Sequence, residues 1–178
     1  MREVQKLDGS QIREIIARMA DEIARRHCRT QGLAVAGIAN GGLILGRRLA
    51  HELETRLGRP VPCGTVNIAF QRDDIGQKPI PLDAANTDFP FDVNQSTVIL
   101  VDDVYFSGRT ARAAINEVFD QGRPEAVELA VLCDRGHRKL PIHPDYAGTV
   151  LQTFPDCRVI AHFDEANPLN DTVCVLEQ

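Results

Sequence analysis

One contiguous run, Val98-Ile99-Leu100-Val101-Asp102-Asp103-Val104-Tyr105-Phe106-Ser107-Gly108-Arg109-Thr110, holds the residue types best suited to chemistry in this chain. It reads as an apolar strand, two acids at its carboxyl end, a short loop and the start of a helix. In open α/β sheets, ligands bind just outside the carboxyl ends of the strands. Paired carboxylates there can accept hydrogen bonds from two vicinal hydroxyls, or hold a hydrated Mg²⁺ beside an anionic ligand. The loop supplies the complement. Its backbone N–H groups and the Ser107 and Thr110 hydroxyls, with Gly108 permitting close approach, can cradle a phosphate at the positive end of the following helix. A sugar phosphate satisfies both halves at once. Taken singly, two acids can merely end a strand and Ser-Gly can be an ordinary turn; it is their contiguity that points to a binding site. The run is neither a P-loop nor a dinucleotide fingerprint, because G-x-x-x-x-G-K-[ST] and G-x-G-x-x-G are both absent.

Strands and helices must alternate to place that run. Ser10 is a candidate N-cap, and Ile12, Ile15, Ile16, Met19, Ala20 and Ile23 recur at helical spacing, so the pattern predicts a helix over about 11–27. Leu33 to Ile38 is a continuous apolar run suited to a strand buried on both faces. It breaks at Asn40-Gly41-Gly42, and a second amphipathic helix follows, ending near Gly58-Arg59-Pro60. Val61 to Phe70 predicts a strand, and the long proline-interrupted stretch 71–95 a functional, flexible loop. Thr97 to Val101 is the strongest strand, Ala111 to Gln121 a helix stopped by Gly122, and Val127 to Leu132 another buried strand. This alternation predicts an α/β fold with a doubly wound parallel sheet, within a single domain spanning 1–178. Beyond Asp134 the helix pattern stops, and only Arg158 to Phe163 and Thr172 to Leu176 look like strands.

Composition sets outer bounds. The 178 residues are 43% apolar and 25% charged, an ordinary globular balance that leaves no case for disorder or a coiled coil. Twenty Lys and Arg against twenty-five Asp and Glu give −5, which excludes a uniformly basic nucleic-acid binder but leaves room for a local basic patch. No apolar stretch approaches the roughly 20 residues of a membrane span, and the start lacks a signal peptide's apolar region, so a cytoplasmic protein is expected. The five cysteines are scattered without a C-x-x-C pair, and the histidines lack metal-ligand spacing.

The Val98–Thr110 run resembles the 5-phosphoribosyl-1-pyrophosphate motif of the type I phosphoribosyltransferases. With Gly122-Arg123-Pro124, Cys133-Asp134-Arg135-Gly136-His137-Arg138-Lys139-Leu140-Pro141-Ile142, Gln71-Arg72-Asp73-Asp74-Ile75 and Asp145-Tyr146-Ala147-Gly148, it is similar to bacterial pyrimidine-operon attenuation regulators that are also uracil phosphoribosyltransferases. The resemblance implies a doubly wound sheet carrying a small hood formed by the chain ends, including the tail after about 140. It implies that uracil displaces pyrophosphate from phosphoribosyl pyrophosphate to give UMP, with Mg²⁺ as cofactor. Asp102 and Asp103 would hold the ribose hydroxyls and, indirectly through substrate or water, the metal. Tyr105, Phe106, Ser107, Gly108, Arg109 and Thr110 would hold the 5-phosphate, and Asn40, Gly41 and Gly42 the pyrophosphate. Arg72 would close over the pyrophosphate. Tyr146 would stack on the base beside the backbone of Ala147, and Asp134 and Arg135 would face pyrophosphate and metal. In the 6-oxopurine members the same loop carries an acid where this chain has Phe106, which favours a pyrimidine. The family is dimeric or larger, and a homodimer or higher homo-oligomer is expected.

Two departures bear on function. The family usually has Lys, Thr and Arg at positions 39, 40 and 41, where this chain has Ala39, Asn40 and Gly41, so pyrophosphate would rest on backbone N–H groups. The resemblance also implies binding of a leader-mRNA hairpin, through Arg18, Arg26, His137 and Arg138; yet Ala17, Asp21 and His143 stand where Thr, His and Arg are expected, and Asp21 would repel RNA. Two alternatives therefore stay open: an RNA-binding or nucleotide-sensing regulator with weak or lost catalysis, and a phosphoribosyltransferase for a purine or other base.

Overall fold

The computed structural model describes residues 2–39, 41–69 and 86–177. Their centre is a five-stranded sheet in the order β3-β2-β4-β5-β6, parallel throughout: β2 (Leu33–Ile38), β3 (Cys63–Val66), β4 (Thr97–Tyr105), β5 (Ala126–Asp134) and β6 (Tyr146–Val150). Every residue of β2 is buried, as its unbroken apolar run requires of a strand covered on both faces. β4 pairs with β5 from Thr97 opposite Ala126 to Tyr105 opposite Asp134, so the two strands end level at their carboxyl edge.

Helices α1 (Gly9–Arg26) and α2 (Gly42–Leu57) cover one face of the sheet, and α3 (Arg109–Gln121) covers the other. The α1 stripe of Ile12, Ile15, Ile16, Met19 and Ile23 is buried against Leu45, Leu49 and Leu53 of α2. Each such large side chain contributes about 1.5–3 kcal/mol relative to exposure. Ala111, Ala114 and Val118 of α3 pack with Leu100, Leu129 and Val131 on the opposite face.

A second, antiparallel sheet in the order β1-β8-β7 joins the two ends of the chain: β1 (Arg2–Asp8), β8 (Thr172–Glu177) and β7 (Arg158–His162). This is the small hood expected of the chain ends, but it does not take in the whole tail after about 140, because 146–150 pairs into the central sheet as β6. Val173 and Val175 of its inner face join the α1 core. The Arg48 guanidinium of α2 latches it from outside, meeting the Asp171 carboxylate, which is 1% exposed, and the Asp164 carbonyl oxygen at 2.6 Å.

The elements differ from expectation in several places. The third strand is only Cys63–Val66, and Asp88 from beyond the long loop pairs with Thr65 instead of a longer β3. β1 and β6 were not expected at all. Among the described residues no helix is long and apolar enough to cross a membrane. Ser10 is not the cap of α1: Asp8 is, its carboxylate accepting the Gln11 N–H at 2.9 Å while the Gln11 side chain accepts the Asp8 N–H at 3.0 Å. That reciprocal box satisfies two otherwise orphan donors. Asp8→Ala is therefore expected to cost about 1 kcal/mol, lowering Tm by roughly 2–4 °C in a chain of this size. A circular-dichroism melt checks this; an unchanged Tm would mean that β1 pairing, not the cap, sets the start of α1.

Candidate active site

The carboxyl ends of β2 and β4 lie side by side, and a helix starts from each. α2 begins very close to the sheet because glycines line the approach. A Cβ on Gly37 would lie 2.5 Å from the Gly42 carbonyl oxygen, and one on Gly42 would fall on the carbonyl oxygen of Val101. A Cβ on Gly41 would overlap the Asp103 carboxylate, so a side chain there would have to displace that acid. The N-cap residues of both helices are glycines, Gly41 and Gly108, with no side chain to cap them; α2 turns its positive dipole end to the acid pair, and at the start of α3 the Ser107 hydroxyl accepts the Arg109 N–H at 3.3 Å.

Asp102 and Asp103 sit where β4 leaves the sheet. Asp102 Oδ1 accepts the Asp103 N–H at 3.0 Å, and Asp103 Oδ1 accepts the Val104 N–H at 2.7 Å, which fixes both carboxylates and leaves oxygens of each for a ligand. Desolvation, and behind it the Asp103 charge, push the Asp102 carboxyl well above the usual carboxylate range. A cationic or hydroxyl-bearing ligand would relieve that cost.

The loop from Tyr105 to Thr110 is braced from beneath. The buried Tyr105 hydroxyl donates to the Ile142 carbonyl at 2.5 Å. The Ser107 carbonyl accepts the N–H groups of Lys139 and Leu140 at 3.0 and 3.2 Å. Gly108 turns into α3 with φ +87°, a left-handed conformation in which glycine alone is unstrained. Asp102, Asp103 and residues 105–110 are thus brought together with Gly41 and Gly42 at one edge. Asn40 and Arg72 lie outside the described residues.

Two expectations are corrected. Tyr146 does not face the cleft: it pairs with Ala130 in mid-sheet, four residues or about 13 Å before the carboxyl edge that Val150 reaches opposite Asp134. It is 1% exposed, its hydroxyl donating to Glu128 Oε2 at 2.6 Å beside His27, with Arg26 over its ring. It anchors α1 to the sheet and cannot stack on a base. Ala147 sits beside it on the edge strand, exposed. Arg135 is not a free cation near pyrophosphate either. It is 8% exposed, with its guanidinium 4.3 Å from the Phe106 ring centre and donating to the carbonyls of Phe154 and Cys157. Asp134 does lie at the edge, its Oδ1 accepting the Gly136 N–H at 2.8 Å.

What the sequence reasoning missed is the turn 151–157 after β6, which lies at the carboxyl edge where Tyr146 was expected and carries Phe154, 69% exposed. An apolar Val-Leu pair followed by Phe-Pro was the available signal. The proposed RNA contacts are partly engaged within the chain. Arg18 donates to the Gly148 carbonyl, Arg26 pairs with Glu128, His137 donates to the Thr153 carbonyl, and Arg138 contacts His143. Asp21, expected to repel RNA, is paired with Arg56 at 2.5 Å.

Among the described residues no group of three His, Cys, Asp or Glu could hold a metal, so the protein alone offers no cage. Mg²⁺ keeps several waters and is commonly held by one or two carboxylates together with substrate phosphates. The adjacent carboxylates of Asp102 and Asp103, beside the start of α2 and the phosphate loop, fit that mode.

Comparison with known proteins agrees with this geometry. A family model described as phosphoribosyl transferase domain matches residues 6–159. The chain is 41% identical over 167 residues to "Bifunctional protein PyrR" of Geobacter sp. (strain M21), covering 94% of both chains. It is 43% identical over 177 residues to the protein of that name from Roseiflexus sp. (strain RS-1), covering 99% of this chain and 96% of the relative. With the one from Bacillus subtilis (strain 168) it shares 40% over 174 residues, 96% of this chain and 95% of the relative. Among solved structures, the hypoxanthine phosphoribosyltransferase of Trypanosoma cruzi superposes with a TM-score of 0.71 at 18% identity, over 100% of this chain and 98% of that one. A hypoxanthine-guanine phosphoribosyltransferase from Bacillus anthracis gives 0.66 at 19%, over 99% and 100%.

Proposed function

The chain belongs to the phosphoribosyl transferase domain family, and from that premise we propose that it transfers the phosphoribosyl group of phosphoribosyl pyrophosphate to uracil, giving UMP and pyrophosphate. One observation carries the reading: the acid pair at the end of β4 lies against the glycine-opened start of α2 and runs directly into the phosphate loop at the start of α3. A sugar with a diol in its middle and phosphate groups at both ends is the complementary shape. Asp102 and Asp103 accept hydrogen bonds from the two ribose hydroxyls. The α3 end, with Ser107 and Thr110, takes the 5-phosphate; the α2 end, with the N–H groups of Gly41 and Gly42, takes pyrophosphate. The pyrophosphate role that the resemblance gives Arg72 falls on a residue outside those described.

In the step itself, uracil N1 bonds to ribose C1, the C1–O bond to pyrophosphate breaks with its electron pair leaving on that oxygen, and the N1 proton departs to solvent. The protein's contribution is alignment and charge stabilisation on preorganised groups. Bound Mg²⁺, held by substrate oxygens, water and the Asp102–Asp103 carboxylates, would neutralise charge on the departing pyrophosphate. With a phenylalanine at 106, the phosphate loop offers no acid to a purine ring, and this supports a pyrimidine substrate. The test is direct: pure protein with uracil, phosphoribosyl pyrophosphate and Mg²⁺ yields UMP on an anion-exchange column. Product with hypoxanthine or guanine alone would select the purine alternative, and no product with any base would overturn the reading.

A second function, UMP-sensitive control of a pyrimidine operon through a leader-mRNA hairpin, is supported by the names of the relatives and by one structural observation. The acid that interrupts the basic face of α1, Asp21, has its charge offset by Arg56. Gel shifts with such a hairpin, with and without UMP, test it; no shift, or a shift indifferent to UMP, would leave a transferase alone.

A further inference from the structure

We infer that Arg135 is a positioning residue for the base: it ties the turn that would cover the base, 151–157, to the loop that would hold the 5-phosphate. The inference rests on the proposed transferase site and adds to it the residue by which one half sets the other.

Arg135 belongs to both halves. Its N–H donates to the Tyr105 carbonyl at 3.1 Å, at the entrance of the phosphate loop. Its guanidinium stacks at 4.3 Å on Phe106, inside that loop. From the other side, Nη2 donates to the Cys157 carbonyl at 2.8 Å and the Phe154 carbonyl at 3.3 Å, and the Arg135 carbonyl accepts the Thr153 hydroxyl at 3.1 Å. His137, edge-on to the same Phe106 ring, adds a bond to the Thr153 carbonyl at 2.7 Å. Among the described residues, the turn's other backbone bonds are its own Cys157 N–H to Phe154 carbonyl, at 3.1 Å, and the Leu151 N–H to Asp134 carbonyl, at 2.8 Å.

Burying a guanidinium is costly unless its donors are used. Here Nε is buried with no acceptor among the described residues, so the side chain is not placed for its own stability. A stability role alone would favour an apolar residue under Phe106. A planar fork that stacks on a ring and reaches two carbonyls at once is what arginine provides and lysine does not. A phosphate that orders the Phe106 loop therefore also orders the turn bearing Phe154.

The experiment compares wild type, Arg135→Met, Arg135→Lys and Phe106→Leu. Amide hydrogen exchange of the unliganded proteins comes first, because it does not depend on activity: residues 151–157 are expected to exchange at least fivefold faster in Arg135→Met, with β4 and β5 unchanged. Calorimetric titrations then compare ribose 5-phosphate, which needs the acid pair and the phosphate loop but not the turn 151–157, with UMP, which needs that turn as well. Arg135→Met is expected to weaken UMP and raise the uracil KM five- to tenfold, with ribose 5-phosphate affinity and kcat within twofold. Arg135→Lys, keeping the charge but losing the stack, and Phe106→Leu should fall between. Unchanged exchange in 151–157, or equal loss of ribose 5-phosphate and UMP, overturns the inference. A wild type that forms no nucleotide overturns the transferase reading instead, while the exchange result still decides whether the tie exists.

Discussion

Replacing Asp102 by asparagine is expected to stabilise the folded chain and to disable it as a transferase. The carboxyl is held well above the usual carboxylate range, first by desolvation and then by Asp103, so the folded chain binds its proton more tightly than the unfolded chain, whose aspartates titrate near ~3.9. The sign follows from linkage. From about pH 4 upward the group costs stability, increasingly until the folded pKa is passed and constantly beyond it. Asparagine keeps the oxygen that accepts the Asp103 N–H and removes the cost. A gain of about 1–2 kcal/mol is the usual size for such a change, or roughly 2–8 °C in Tm, largest at neutral pH and vanishing as pH falls below about 4. Activity moves the other way. Loss of a charged acceptor costs about 1.5–3 kcal/mol, roughly ten- to a hundredfold in kcat/KM. Melts from pH 3 to 8 beside UMP-formation assays check both arms. A variant that melts below wild type at neutral pH, or one that retains full activity, would refute the placement of Asp102.

Gly42→Ala should be the more damaging change. Its new methyl would land on the Val101 carbonyl oxygen, which is backbone within the central strand and has nowhere to turn. The N-terminus of α2 must therefore lift away from β4. Overpacking of this kind costs about 1–3 kcal/mol, a fall in Tm of roughly 2–12 °C. The same displacement separates the α2 N–H groups from the acid pair, and misplacement by about 1 Å can cost a hundredfold in rate. Pyrophosphate inhibition should weaken in parallel, whereas ribose 5-phosphate, held by α3, should bind nearly as before. A normally active Gly42→Ala protein would show that α2 plays no part in holding the leaving group.

The legible parts of this protein are those whose meaning lies within a few residues. β4, its acids, the phosphate loop and α3 are contiguous, and the apolar run of β2 shows its burial directly. The true start of α1 is also written in the sequence, as Asp8 and Gln11 three residues apart, but Ser10 beside them has the same capping chemistry and hides it. β1 and β6 escaped because Arg2–Asp8 is largely charged and exposed, and because Gly148 and Thr149 dilute the apolar pattern of β6. The partners of Tyr146, Asp21 and Arg135 escape a local reading for a different reason. They are Glu128, Arg56 and the carbonyls of Phe154 and Cys157, all far along the chain, and local spacing carries no information about them. A polar residue's role depends on what it is paired with, and pairing is tertiary.

The hood also bears on the order in which the molecule assembles. The central sheet pairs strands close to one another in sequence and could close once β6 has been made. β1, by contrast, has no partner until β8 exists, since Lys6 lies opposite Cys174 and Leu7 opposite Val173. Closing so long a loop is entropically expensive and is repaid only by contacts that form late. During synthesis β1 therefore waits, unpaired, until β8 has emerged. Its sequence suits that wait: Arg2, Glu3, Lys6 and Asp8 keep an idle edge charged and discourage it from pairing with another chain.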